Sequence, residues 1–338
     1  MNPNDNRYNR FALVREMMDA VNVARRFDPE RTRAVSEGIR SKGKLLLAGE
    51  GSSRIFPAKN AVHKSLRWGM DLRIVTAGSR QAALYGLSDF AVFCASNSGR
   101  TKEIVTLARK LAGAGHADRY ALTAGENTAL EEVCDQAFIL DCGKEQAVAA
   151  TKSVVEQALF YESILWNLSG RHMAAALRPV PGQMEQALTM DIPGDAVKAA
   201  AGAPTIYFAG FNDGVAEELA LKTNEITRKK SDYLEGTFAV HGIEEVMDPN
   251  DTVFVIDPIH EEIDKFREVL VDGVGCKVVA IADRETPFPT IRVPNAGEFN
   301  SYVYLCAGWN LLVEVGLTLG IDLDKPARAR KVGNEIVG

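Results

Sequence analysis

Short apolar runs alternate with amphipathic stretches along this chain. In the first half, Lys44–Ala48 (KLLLA), 72–76 (LRIVT), 90–95 (FAVFCA), 120–123 (YALT) and 137–140 (AFIL) read as strands. Between and after them, 54–68 and 101–112 carry apolar residues at helical spacing, and 147–166 predicts a long helix. A second series follows, with strands at 205–209 (TIYFA), 252–256 (TVFVI), 277–281 (KVVAI) and 290–293, and helices at 215–229, 261–271 and 302–318. Strands separated by helices imply a parallel sheet covered on both faces. The pattern occurs twice, so the chain predicts two tandem doubly wound α/β domains, 41–178 and 201–320. Residues 1–40 read as one or two amphipathic helices, with Leu13, Met17, Met18, Val21 and Val23 at roughly helical spacing. The stretch 179–200, rich in Pro and Gly as far as Gly194, reads as a linker. The charged segment 321–338, broken by Pro326, reads as a surface tail.

Composition narrows the class. At 338 residues, 46% hydrophobic and 25% charged, the chain has the profile of an ordinary soluble protein of about two domains. A net charge of −6 argues against nucleic acid as the main partner. No apolar run approaches the ~20 residues of a membrane span, and the first residues, MNPNDNRYNRF, lack the apolar core of a signal peptide. Cys94, Cys134, Cys142, Cys276 and Cys306 are scattered and form no CxxC pair, so buried thiols in a reducing cytoplasm are expected and no zinc site is implied.

The chemistry concentrates in turns. Gly49–Ser53 and Ser96–Gly99 each follow a predicted strand and precede a predicted helix. That arrangement brings backbone N–H groups and the hydroxyls of Ser52, Ser53, Ser96, Ser98 and Thr101 to helix N-termini, a ready anion site at the carboxyl ends of strands. The plainer alternative is that these hydroxyls only cap helices. A dinucleotide fingerprint fails at Gly49-x-Gly51, because Arg54 takes the third glycine's place and no acidic residue ends the next strand. No phosphate-binding lysine loop or nucleophile elbow is present. The corresponding turn of the second half, Gly210-Phe211-Asn212-Asp213-Gly214, lacks serines, which places the polar site mainly in the first half. Farther on, Lys222 and Glu225 share one helical face and His241 follows beyond Gly236. A lysine, a carboxylate and an imidazole are what proton shuttling on a sugar requires, although such a helix face is otherwise simply solvated. His63, His116, His172 and His260 sit in no motif.

These residues together resemble the sugar isomerase (SIS) family, with its flavodoxin-like domains. The resemblance runs to the isomerase half of glucosamine-6-phosphate synthase and to stand-alone aminosugar-phosphate deaminases. Gly51-Ser52-Ser53 looks like the family's strand-end turn, and Ser96-Asn97-Ser98-Gly99-Arg100-Thr101 like its Ser-Gln-Ser-Gly-x-Thr/Ser loop. The stretch from Glu145 through Val148 and Ala149 to Lys152 is similar to its Glu-x-x-Val-Ala-Ser/Ala-Thr-Lys segment. Lys222-x-x-Glu225, His241-Gly242 and the run from Pro326 to Lys331 match its catalytic helix, histidine loop and C-terminal lysine. Asn97 departs from the usual Gln, Ile243 from Pro, and Arg330 from a small residue.

The resemblance implies a 6-phosphosugar enzyme that deaminates or isomerises an aminohexose 6-phosphate, without metal or organic cofactor. Gly51, Ser52, Ser53, Ser96, Asn97, Ser98, Thr101, Val148 and Ala149 would bind the substrate. His241 would open the ring, Glu225 would move the proton between C1 and C2, and Lys222 or Lys331 would stabilise the oxyanion. His241 would come from a neighbouring subunit, implying a homodimer with a shared active site, and the tail would contribute through Lys331. Asn2 follows Met1 where the synthase carries a cysteine, and this sets glutamine-dependent synthesis aside in favour of deamination. An aldose–ketose isomerase, a deglycase and a non-catalytic phosphosugar sensor remain as alternatives.

Overall fold

The computed structural model describes residues 1–331 and 334–336. Of the tail predicted at 321–338, positions 332, 333, 337 and 338 lie outside the described residues. The chain divides into two compact units.

One unit comprises Asn22–Glu145, Ala150–Arg178 and the tail from Arg330. Its sheet is built from β1 (Lys44–Ala48), β2 (Arg73–Ala77), β3 (Ala91–Ala95), β4 (Arg119–Thr123) and β5 (Gln136–Ile139). All neighbours are parallel, in the order β2-β1-β3-β4-β5. Both faces are buried, as the continuous apolar runs require. Leu45, Leu47 and Phe93 pack against Ile39, Ala61 and Phe160 on one side; Leu46, Val92 and Cys94 pack against Ile104, Ala108 and Leu111 on the other.

The other unit comprises Met1–Val21, Gln146–Ala149 and Pro179–Ala329. It holds β6 (Thr205–Gly210), β7 (Lys230–Glu235), β8 (Thr252–Ile256), β9 (Lys277–Ala282) and β10 (Thr290–Arg292). These are again all parallel, ordered β10-β9-β8-β6-β7. Counted from its own first strand, this is the order of the first sheet, so the repeat seen in the residue pattern recurs in strand topology. The chain is therefore an α/β protein with two parallel five-stranded sheets flanked by helices.

Several elements differ from the sequence pattern. The stretch 179–200, expected as a linker, is helical over Val180–Thr189 and Gly194–Gly202. Pro181 stands in the first turn of the former, where a missing N–H costs nothing, and Val180, Met184, Ala187 and Leu188 are buried. The helix expected from 147 begins at Lys152, because the N–H groups of Gln146 and Ala147 are held by Glu16 instead of entering a helix. The helix expected at 215–229 ends at Thr227, where Arg228 turns left-handed (φ 58°), and strand β7 follows. The segment expected to be helical over 261–271 is a short 3-10 turn, one α turn and a π-helical stretch, Arg267–Val274.

Candidate active site

In the first unit the two hydroxyl turns leave neighbouring strands. Ala48 of β1 is in register with Cys94 of β3, so Gly49–Ser53 and Ser96–Thr101 emerge side by side at the carboxyl edge. This is where the strand order reverses, with β2 on one side of β1 and β3 on the other, the usual ligand position in open α/β sheets. Gly49 allows the approach: a Cβ there would sit 3.0 Å from the Ser53 carbonyl oxygen and 3.3 Å from that of Ala95. Each turn leads to a helix, Ile55–Arg67 and Lys102–Gly113.

The second turn is tightly specified. Gly99 has φ +62°, and a Cβ on it would meet the Thr128 Cβ at 2.4 Å. The Ser96 N–H donates to Leu122 O at 3.0 Å, and Asn97 O accepts from Ala124 N at 3.1 Å. The Ser96 and Thr101 hydroxyls are hydrogen-bonded to each other at 2.9 Å, and Ser98 Oγ accepts from Arg100 N at 3.2 Å. The tail runs along this turn: Ile336 N donates to Arg100 O, and Lys102 N to Asn334 O, both at 3.0 Å.

Beneath the turn sits Glu145, which the motif comparison quoted without a role. It is buried, at 3% exposure. Its Oε1 accepts from the N–H groups of Thr151 (2.8 Å) and Ser153 (3.3 Å), at the start of the helix Lys152–Leu168. Its Oε2 accepts from Asn97 Nδ2 (3.0 Å), Ser153 Oγ (2.8 Å) and Lys331 Nζ (3.2 Å). Burial pushes this carboxyl up, but the Lys331 charge and the hydrogen bonds from Thr151 and Ser153 outweigh it, and its pKa is lowered. The sequence offers no periodic signal for this cluster, because its members come from distant parts of the chain.

In the other unit, the helix Val215–Thr227 carries Lys222 and Glu225. Lys222 is fully enclosed, with Nζ 2.7 Å from Glu225 Oε2 and 3.1 Å from Glu218 Oε1. Burial works against its charge, yet the two carboxylates prevail and its pKa is raised. Glu225 keeps 25% side-chain exposure, so it is the member of the trio open to a proton-transfer partner. Glu218, one turn before Lys222, was not singled out from the sequence, although the i, i+4 spacing makes it legible. His241 is exposed at the end of the short helix Phe238–Val240 and is followed by Gly242 at φ 106°. Val148 is half-buried and Ala149 buried, and both belong to this unit. The hydroxyl turns, Asn97 and Lys331 thus lie in one unit, and Lys222, Glu225, His241, Val148 and Ala149 in the other. Among the described residues no helix is long and apolar enough to cross a membrane.

Comparison with known proteins gives consistent relatives. The glutamine–fructose-6-phosphate aminotransferase of Neisseria meningitidis serogroup A is 26% identical over 324 residues, covering 89% of this chain and 53% of the relative. That of Aeropyrum pernix is 26% identical over 329 residues, covering 90% and 53%. The chain therefore spans about half the length of the curated relatives it matches. In fold it is similar to the C-terminal domain of glucosamine-fructose-6-phosphate aminotransferase from Francisella tularensis (TM-score 0.76, 18% identity, 93% of this chain and 98% of that one). It is also similar to glucosamine-6-phosphate deaminase from Thermotoga maritima (TM-score 0.71, 17% identity, 95% and 99%). No family model matches the chain.

Proposed function

We propose, from a chain whose relatives in sequence and fold are those of the sugar isomerase (SIS) family, that this protein processes a phosphosugar. In its sharper form, it deaminates or isomerises an aminohexose 6-phosphate to a ketose phosphate. The observation that carries the reading is the pair of hydroxyl turns side by side at the switch point of the first sheet, each leading to a helix N-terminus. Ser52, Ser53, Ser96, Ser98 and Thr101 hold the phosphate end. The Ser96 and Thr101 hydroxyls, now bonded to each other, turn their hydrogen bonds to the anion.

Glu225 moves the proton between C1 and C2, and Lys222 orients it from a buried position between Glu218 and Glu225. His241 assists ring opening, in an arrangement that pairs two copies of the chain. The developing oxyanion falls to Lys331, whose side chain keeps 28% exposure. Deamination is favoured over plain isomerisation by the wording of the turns.

Incubation with glucosamine 6-phosphate, following ammonia and fructose 6-phosphate together, tests this directly. Equal release of both supports deamination. Thermal stabilisation by the sugar without ammonia moves the reading to an isomerase of another hexose phosphate or to a sensor. Glu225→Gln separates those two: in an enzyme it abolishes turnover and leaves sugar binding nearly intact, whereas a sensor has no turnover to lose.

A further inference from the structure

Asn97 stands where the resembling loop carries Gln. Its backbone is fixed, with the carbonyl accepting from Ala124 N at 3.1 Å and from Thr123 Oγ1 at 3.3 Å. Its amide nitrogen lies 3.0 Å from Glu145 Oε2. Because a carboxylate only accepts, the amide group must face it with its NH2, and the amide oxygen is turned away. That oxygen is buried and has no hydrogen-bond partner among the described residues. An orphaned buried acceptor is costly, so this orientation is not the one that the stability of Asn97 alone would select.

The same Glu145 oxygen receives Lys331 Nζ at 3.2 Å. Glu145 Oε1 is committed to the start of the helix Lys152–Leu168, so the carboxylate can turn only if it gives up those bonds or the ones that Asn97 Nδ2 and Ser153 Oγ make to Oε2. We propose that Asn97 is a positioning residue, whose amide fixes the Glu145 carboxylate so that its outer oxygen holds the Lys331 ammonium beside the hydroxyl turn. The inference deepens the phosphosugar reading, in which Lys331 meets the sugar, but the geometry it rests on needs no substrate. All three residues belong to one unit. They join the strand-end turn, the start of a core helix and the tail, so a single amide couples the substrate loop to the placement of a distant lysine.

The test is the rate at which Lys331 is acylated by a small amine-reactive ester, read by peptide mass spectrometry on the intact, ligand-free protein. Glu145→Gln weakens the ion pair directly and sets the upper rate. Asn97→Leu, which removes the donor, is expected to raise Lys331 labelling about fivefold, the population shift that one lost hydrogen bond corresponds to. Asn97→Gln restores a donor and is expected to stay near the wild-type rate. Asn97→Ala repeats the donor loss if the leucine variant fails to fold.

Hydrogen exchange at the Lys102 and Ile336 amides, which pair the tail with the turn, controls for fraying. Faster labelling with unchanged exchange supports the assignment. Wild-type labelling in the donor-less variants overturns it, and so does faster labelling that appears only together with faster exchange. Neither result bears on whether the protein turns over a sugar phosphate, so failure here is distinct from failure of the functional reading.

Discussion

A lysine with no exposed surface between two carboxylates behaves differently from one on a solvated helix face. Lys222 is such a residue, and Glu218 beside it is equally enclosed. Removing one partner of a buried ion pair leaves a charge that the interior cannot solvate, at a cost of about 3–5 kcal/mol. Lys222→Ala is therefore expected to lower unfolding stability by roughly that amount, measured as the shift in urea midpoint. Glu225→Gln should cost far less, because Glu225 retains access to water. A similar loss for both variants would mean that Lys222 is not held as its contacts indicate. The Lys222–Glu225 pair was legible in the sequence because helical periodicity brings i and i+3 together, and the same rule reaches Glu218. Glu145 was not legible in this way. Its partners Asn97, Ser153 and Lys331 are joined only by the tertiary fold, and a buried carboxylate among distant donors leaves no local pattern.

At the scale of elements, apolar runs located the central strands well, since β1, β3, β6, β8 and β9 are buried along nearly their whole length. Strand β7 escaped because Lys230–Glu235 (KSDYLE) is an edge strand whose exposed positions carry charge. Charge of this kind keeps an edge from pairing with other chains, and it also removes the apolar signature of a strand. The helix Val180–Thr189 escaped because Pro181 and Gly182 read as breakers, although proline is harmless in a first turn. The helix Val215–Thr227 is positioned by its close contact with the long helix Asn300–Thr318. There Gly308 lets Leu219 approach so closely that a Cβ would meet Leu219 Cδ2 at 2.3 Å. Overpacking a well-filled site costs typically 1–3 kcal/mol, so Gly308→Ala is expected to destabilise by about that much. It should also displace the helix that carries Glu225. Calorimetry and turnover should fall together, whereas an unchanged melting temperature would show that the helices have room to spare.

For the molecule as a whole, stability against pH and the layout of the chain make separate predictions. Glu145 titrates in the folded state below its ordinary value of 4.5, so the stability it contributes is present above that value and is lost as pH falls through the folded pKa. Lys222 is raised above 10.5, so its contribution is complete below that pH and is lost only as pH rises through the folded value. Thermal melts should therefore decline on the acid side below about pH 4.5, and Glu145→Gln should flatten that limb. The layout concerns which pieces can fold. The unit with the hydroxyl turns is nearly continuous over 22–178, missing only the tail that packs Ile336 onto its core. The other unit cannot be cut out as one piece, because it takes in Met1–Val21 from the start of the chain. Leu13 and Met17 there are fully buried, and the Ala12 and Leu13 amides bond Asp324, both at 2.8 Å. A fragment 22–178 is accordingly expected to melt cooperatively, while a fragment 179–329 should show a shallow transition or aggregate until residues 1–21 are restored. Circular dichroism melts of the two fragments decide the matter. A sharp transition for 179–329 alone would mean that residues 1–21 add little to that core, despite the buried Leu13 and Met17.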